Sequence, residues 1–103
     1  ARAIEHFRTL DKEIPAQVIA TFLYVASHDD CFKGDLEKAL AFSTASGSRN
    51  TDWLSAYHRL NKPGLGLIIK YRDPNNRRRQ VLQLSAKGRV LVQELKQILY
   101  PEN

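Results

Sequence analysis

A mainly α-helical domain carrying one small β-hairpin, an α+β arrangement, is the fold class this sequence predicts, and three observations point to it. Apolar residues recur at helical spacing over most of the chain, from Ile4, Phe7 and Leu10 to Leu91, Leu95, Ile98 and Leu99. Two short β-prone runs, Leu67-Ile68-Ile69-Lys70-Tyr71 and Val81-Leu82-Gln83-Leu84, flank the turn Asp73-Pro74-Asn75-Asn76. At 103 residues and 43% hydrophobic, the chain has the length for one core, so residues 1–103 are read as a single domain.

Taken in order, Arg2 to Lys12 reads as a short amphipathic helix, too short to be stable unless it packs on something. Pro15 suits the start of a second helix, where its missing N–H costs nothing, and Val18, Ile19, Phe22, Leu23, Val25 and Ala26 give that helix a wide core stripe. Ser27 to Asp30 breaks the pattern and Cys31-Phe32 restarts it. A helix over Lys33 to Leu40 follows, then a short turn at Ala41-Phe42. Ser43 is an N-cap for a helix running from Thr44 to about His58, with Trp53, Leu54, Tyr57 and Leu60 inward. Gly47 and Thr51 stand there where larger aliphatic residues are expected, which predicts weak anchoring of its first half. Asn61 to Gly66 is a loop, the hairpin comes next, and Ser85 caps a last helix over Ala86 to Leu99 before Pro101. Two helices joined by a tight turn and followed by a hairpin make a winged helix-turn-helix.

The charge is uneven. Arg59, Lys62, Lys70, Arg72, Arg77, Arg78 and Arg79 stand against one acid, Asp73, between residues 59 and 79, whereas the rest of the chain has nine basic and ten acidic residues. A local basic footprint is what a polyanion requires. The start of the Thr44 helix offers Ser43, Thr44, Ala45, Ser46, Ser48 and Arg49, small or polar groups that can approach base edges in a major groove. The hairpin tip, with Arg72, Asn75, Asn76, Arg77, Arg78 and Arg79, can reach phosphates or a minor groove. Arg59 and Lys62 are placed to add backbone contacts. Double-stranded DNA is therefore the expected partner. The rival readings are a winged helix serving plasmid or phage replication or partition, and a module whose basic face meets an acidic protein.

Other classes fit poorly. His28 and Cys31 are two residues apart, but a zinc site needs about four convergent ligands and no second Cys/His pair exists, so no metal is expected. Scattered serines and isolated histidines form no nucleophile-base-orienter set, so no enzyme activity and no cofactor are expected. No run approaches roughly 18 apolar residues and no charged-then-apolar leader opens the chain, so no membrane partner is expected. The single Cys31 fits a reducing, cytoplasmic setting.

Two segments carry a resemblance. Leu36-Glu37-Lys38-Ala39-Leu40-Ala41-Phe42-Ser43 through Ser48-Arg49-Asn50 is similar to the helix-turn-helix of the MarR family of bacterial transcriptional regulators. Asp73-Pro74-Asn75-Asn76-Arg77-Arg78-Arg79, followed by Leu84-Ser85-Ala86-Lys87-Gly88, resembles that family's wing and next helix. The resemblance implies a homodimeric, sequence-specific binder of double-stranded DNA, usually a repressor. It implies that Arg78 enters the minor groove and that Ser48 and Arg49 read bases. Asn76 stands where the family usually has an aspartate that orients the wing arginine, so the wing is expected to be either looser or held differently. The terminal helices are short for the family, which argues against a small-molecule effector and for a compact regulator of plasmid, phage or accessory-gene type. Ile4, Phe7 and Leu10 with Leu95, Ile98 and Leu99 are the expected dimer contacts.

Overall fold

The computed structural model describes residues 2–28, 30–56 and 63–101. Its elements run α1 (Arg2–Leu10), α2 (Ala16–Ser27), β1 (Cys31–Phe32), α3 (Lys33–Leu40), α4 (Thr44–Leu54), β2 (Ile68–Asp73), β3 (Asn76–Leu84) and α5 (Ala86–Leu99). This is the expected mainly helical domain with a wing. No helix among the described residues is long and apolar enough to cross a membrane.

The core forms where the helical stripes and the inner sheet face meet. Phe7, Val18, Phe22, Val25, Leu36, Leu54, Leu67, Ile68, Leu82, Leu91 and Leu95 make one buried cluster. The short α1 is held there by Phe7, whose ring packs edge-on against Phe22 with centroids 5.8 Å apart. Burying such a side chain is worth about 1.5–3 kcal/mol, enough to keep a nine-residue helix that would fray alone. His6 adds a 3.5 Å contact to Glu94 on α5.

Several expectations are corrected. Cys31-Phe32, read only as a restart of the apolar pattern, is a third strand, pairing Cys31 with Leu82 and Phe32 with Val81, so the antiparallel sheet has the order β1-β3-β2. The hairpin strands are longer than the apolar runs, because backbone pairing continues outward to Asp73 and Asn76 whatever the side chains are. Helix α4 ends at Leu54 rather than near His58, and the expected inward contacts Tyr57 and Leu60 lie outside the described residues. Its last carbonyls are taken by the returning chain: Leu65 N–H donates to Trp53 O at 2.9 Å and Leu67 N–H to Leu54 O at 2.7 Å. That strap also seats α5. Ser85 caps α5 by accepting from Gly88 N–H at 3.0 Å and donates through Oγ to Gly66 O at 2.6 Å. Gly88 lies so close to the Leu67 carbonyl that a Cβ there would collide with it. The Leu-Ser-x-x-Gly run is thus a docking motif between helix and strap.

Candidate nucleic-acid interface

Helix α4 is presented by a tight turn. Helix α3 ends with Ala41 in the left-handed region at φ 56°, and the N–H groups of Ala41 and Phe42 return to the carbonyls of Lys38 and Glu37. The chain then enters α4 through Ser43, whose Oγ accepts from Ser46 N–H at 3.1 Å. Ser43, Thr44, Ala45 and Arg49 are exposed, and Ser46 and Ser48 are half-buried. Arg49 is already oriented, because its Nη2 donates to Ser46 Oγ at 3.0 Å.

The inner side of α4 explains its small residues and overturns the expectation of weak anchoring. Gly47 is buried under the Glu37 side chain, which would clash with any Cβ, and Glu37 is itself paired with Lys33. Thr51 is fully buried with its hydroxyl donating to Gly47 O at 2.8 Å. Asn50 donates to Gln17 on α2 at 3.1 Å, and Trp53 Nε1 to Asp11 at 2.9 Å. Polar contacts hold this helix where aliphatic ones were expected.

The wing is held by Asp73, not by an acid at position 76. Asp73 is 8% exposed; one oxygen accepts from Asn75 N–H at 2.9 Å and the other faces Arg79 Nη2 at 3.4 Å. The Arg79 guanidinium also lies 4.2 Å over the Phe32 ring. Asn76 Oδ1 accepts from Arg78 N–H at 3.1 Å, and Arg72 donates to Arg77 O at 2.8 Å. Arg72 and Arg79 therefore brace the hairpin, while the Arg77 and Arg78 side chains are exposed at its tip.

Between the wing and the helix-turn-helix runs an open groove of about 480 Å³, bordered by Lys33, Lys38, Thr44, Ser48, Arg72, Arg78 and Arg79. It brings the start of α4 and the wing, predicted separately, to one surface. Lys33, Lys38 and Gln80 also border it and were not anticipated. For Lys33 and Lys38 the signal was their place on the helix preceding the recognition turn. Asn75 stays exposed in the turn, and Arg59 and Lys62 lie outside the described residues. Nearby, burial above all, then the carboxylates of Asp35 and Asp30, pushes the Cys31 thiol up, against a lowering backbone hydrogen bond. Burial, helped by Cys31 and Asp35, likewise raises the Tyr24 phenol.

The expected dimer contacts divide. Ile4, Leu10 and Leu99 are exposed and Ile98 is half-buried, whereas Phe7 and Leu95 lie at 2% and 5% exposure in the chain's own core. Those two are core residues of this chain and are not available as surface contacts.

No protein-family model matches the sequence, and a search of curated proteins finds no relative. Solved structures do match. A MepR mutant from a multidrug-resistant S. aureus clinical isolate is 25% identical with a TM-score of 0.75, covering 95% of this chain and 65% of its own. The S. aureus MepR–DNA complex is 23% identical with a TM-score of 0.72, covering 95% and 70%. Streptococcus pneumoniae FabT in complex with DNA is 22% identical with a TM-score of 0.68, covering 85% and 56%. The chain thus spans slightly under two thirds of the first of these and little more than half of the last. Its fold is that of the MarR-family winged-helix regulators.

Proposed function

We propose that this protein is a sequence-specific, double-stranded-DNA-binding transcriptional regulator acting as a repressor. The start of α4 reads the major groove, and the wing contacts the minor groove or the backbone. The observation that carries the reading is the juxtaposition across one groove of an exposed, small-residue helix start and a braced hairpin tipped by Arg77 and Arg78. Small groups let a helix approach base edges closely, and a braced hairpin loses little backbone freedom on contact. Structures of similar fold that contain DNA, including CouR bound to a 23-mer duplex, support the same reading. The protein works as a homodimer on a two-fold site, without enzymatic activity.

Selection from a random duplex pool tests this. The expected result is a palindromic consensus whose affinity falls linearly on a log–log plot against salt. Salt-dependent binding with no consensus would instead favour a role in replication or partition, where grip matters more than sequence. Absence of duplex binding would leave the acidic-protein reading.

A further inference from the structure

Strand β2 carries side-chain bonds to both parts of the interface. At its tip end, Arg72 donates to the Arg77 carbonyl of the wing turn at 2.8 Å. Two residues earlier on the same strand face, Lys70 leaves the hairpin altogether. Its Nζ donates to Asp52 Oδ1 at 2.6 Å and to Thr51 Oγ1 at 2.8 Å, both on α4. The ion pair is well covered, with the two side chains 14% and 22% exposed. Thr51 passes the link inward, since its hydroxyl lies 2.8 Å from Gly47 O and 3.2 Å from Ser48 O. The wing and α4 are thus both bonded to side chains of β2, whose backbone joins the two contacts, and on the α4 side the polar contacts reach the carbonyls just before Arg49.

We propose that Lys70 is a positioning residue that makes wing contact and helix contact cooperative, so that DNA held at Arg78 presents Ser48 and Arg49 already in register. The inference rests on the DNA-binding reading above. A projecting hairpin can hinge against the helix it adjoins, and each hinge angle lost on binding weakens the complex. A charged, partly desolvated bridge removes that freedom beforehand, and a second contact then forms at a high effective concentration. Lys70 is not itself aimed at DNA, because its ammonium already meets two acceptors on α4.

A double-mutant cycle on the selected duplex tests the proposal, with Lys70→Met and Arg78→Ala. Any loss of general charge attraction appears equally in both backgrounds and cancels. Arg78→Ala is expected to weaken binding about tenfold or more in the otherwise unchanged protein, and about threefold or less beside Lys70→Met. The salt slope should be the same with and without Lys70, whereas a phosphate-contacting lysine would lower it by about one. Equal cost of Arg78→Ala in both backgrounds overturns the coupling and leaves the DNA-binding reading standing. No effect of Arg78→Ala in the unchanged protein overturns the wing contact and the coupling with it, and no duplex binding at all overturns the DNA-binding reading itself. If Lys70→Met does not fold, Thr51→Val replaces it. That variant keeps the Lys70–Asp52 pair but cuts the arm to the helix carbonyls, and an undiminished Arg78 effect there also overturns the proposal.

Discussion

Arg78 differs from its neighbours in what its side chain is left to do. Arg79 is engaged by Asp73 and the Phe32 ring, whereas Arg78 is exposed beside the groove and its backbone N–H is bonded within the turn. Arg78→Ala should therefore cost about 1–3 kcal/mol of duplex binding with an unchanged melting temperature. Arg79→Ala should instead lower the melting temperature, through the loss of a cation–π contact worth about 0.5–1 kcal/mol. Arg49, aimed by Ser46, is the long donor among small groups. Arg49→Ala is expected to flatten the preference for the selected duplex over scrambled competitors, read by competition at fixed salt. Ala41 presents a different case, a non-glycine residue held at φ 56° in a left-handed cap that costs roughly 1 kcal/mol. Ala41→Gly should relieve part of that strain and raise the urea midpoint.

Among the elements, two glycines with the same chemistry predict opposite outcomes. Gly34 sits in the first turn of α3 with open space where a Cβ would go, so Gly34→Ala should stabilise the fold by about 0.5–1 kcal/mol. Gly88 sits against the Leu67 carbonyl, backbone that cannot step aside, so Gly88→Ala should destabilise by about 1–3 kcal/mol in urea titration. The helix bounds that sequence could find are those with chemical punctuation. Ser85 before α5, Ser43 before α4, and the Lys33 to Leu40 span were all legible, because caps and apolar periodicity act locally. Strand β1 was not, since two residues carry no period and Cys31-Phe32 becomes a strand through its pairing with Leu82 and Val81 alone. The end of α4 was missed for a similar reason: the acceptors of its last turn are met by residues 65–67, beyond the reach of any local signal. At the interface, the arginine run announced a basic tip. Which arginines brace and which reach out depended on Asp73 and Phe32, one in the turn and the other more than forty residues away.

At the scale of the whole molecule, the proposed homodimer would use Ile4, Leu10 and Leu99, the predicted contacts that are exposed on the terminal helices. The combined variant Ile4→Glu, Leu99→Glu should sediment as a monomer and bind a full palindrome no better than a half-site, while melting close to the parent. Two recognition helices set roughly 34 Å apart are the corresponding geometry. A glutamate at Leu95 would be a poor probe, because it strikes the core first. The strap at residues 64–67 has a further consequence. It closes the last turn of α4, begins the hairpin, and receives Ser85 and Lys87 of the final helix, with Lys87 Nζ donating to Leu65 O at 2.9 Å. The helix-turn-helix is consequently not a separable folding unit. A peptide stopping at residue 56 would leave the carbonyls of Trp53 and Leu54 without these donors, and α4 would unravel from the end that carries its largest core residue. The chain must therefore bring residues 53 and 88 together before either end of this joint is stable. Folding should pass through one all-or-none transition, with near- and far-ultraviolet circular dichroism losing their signals at the same temperature.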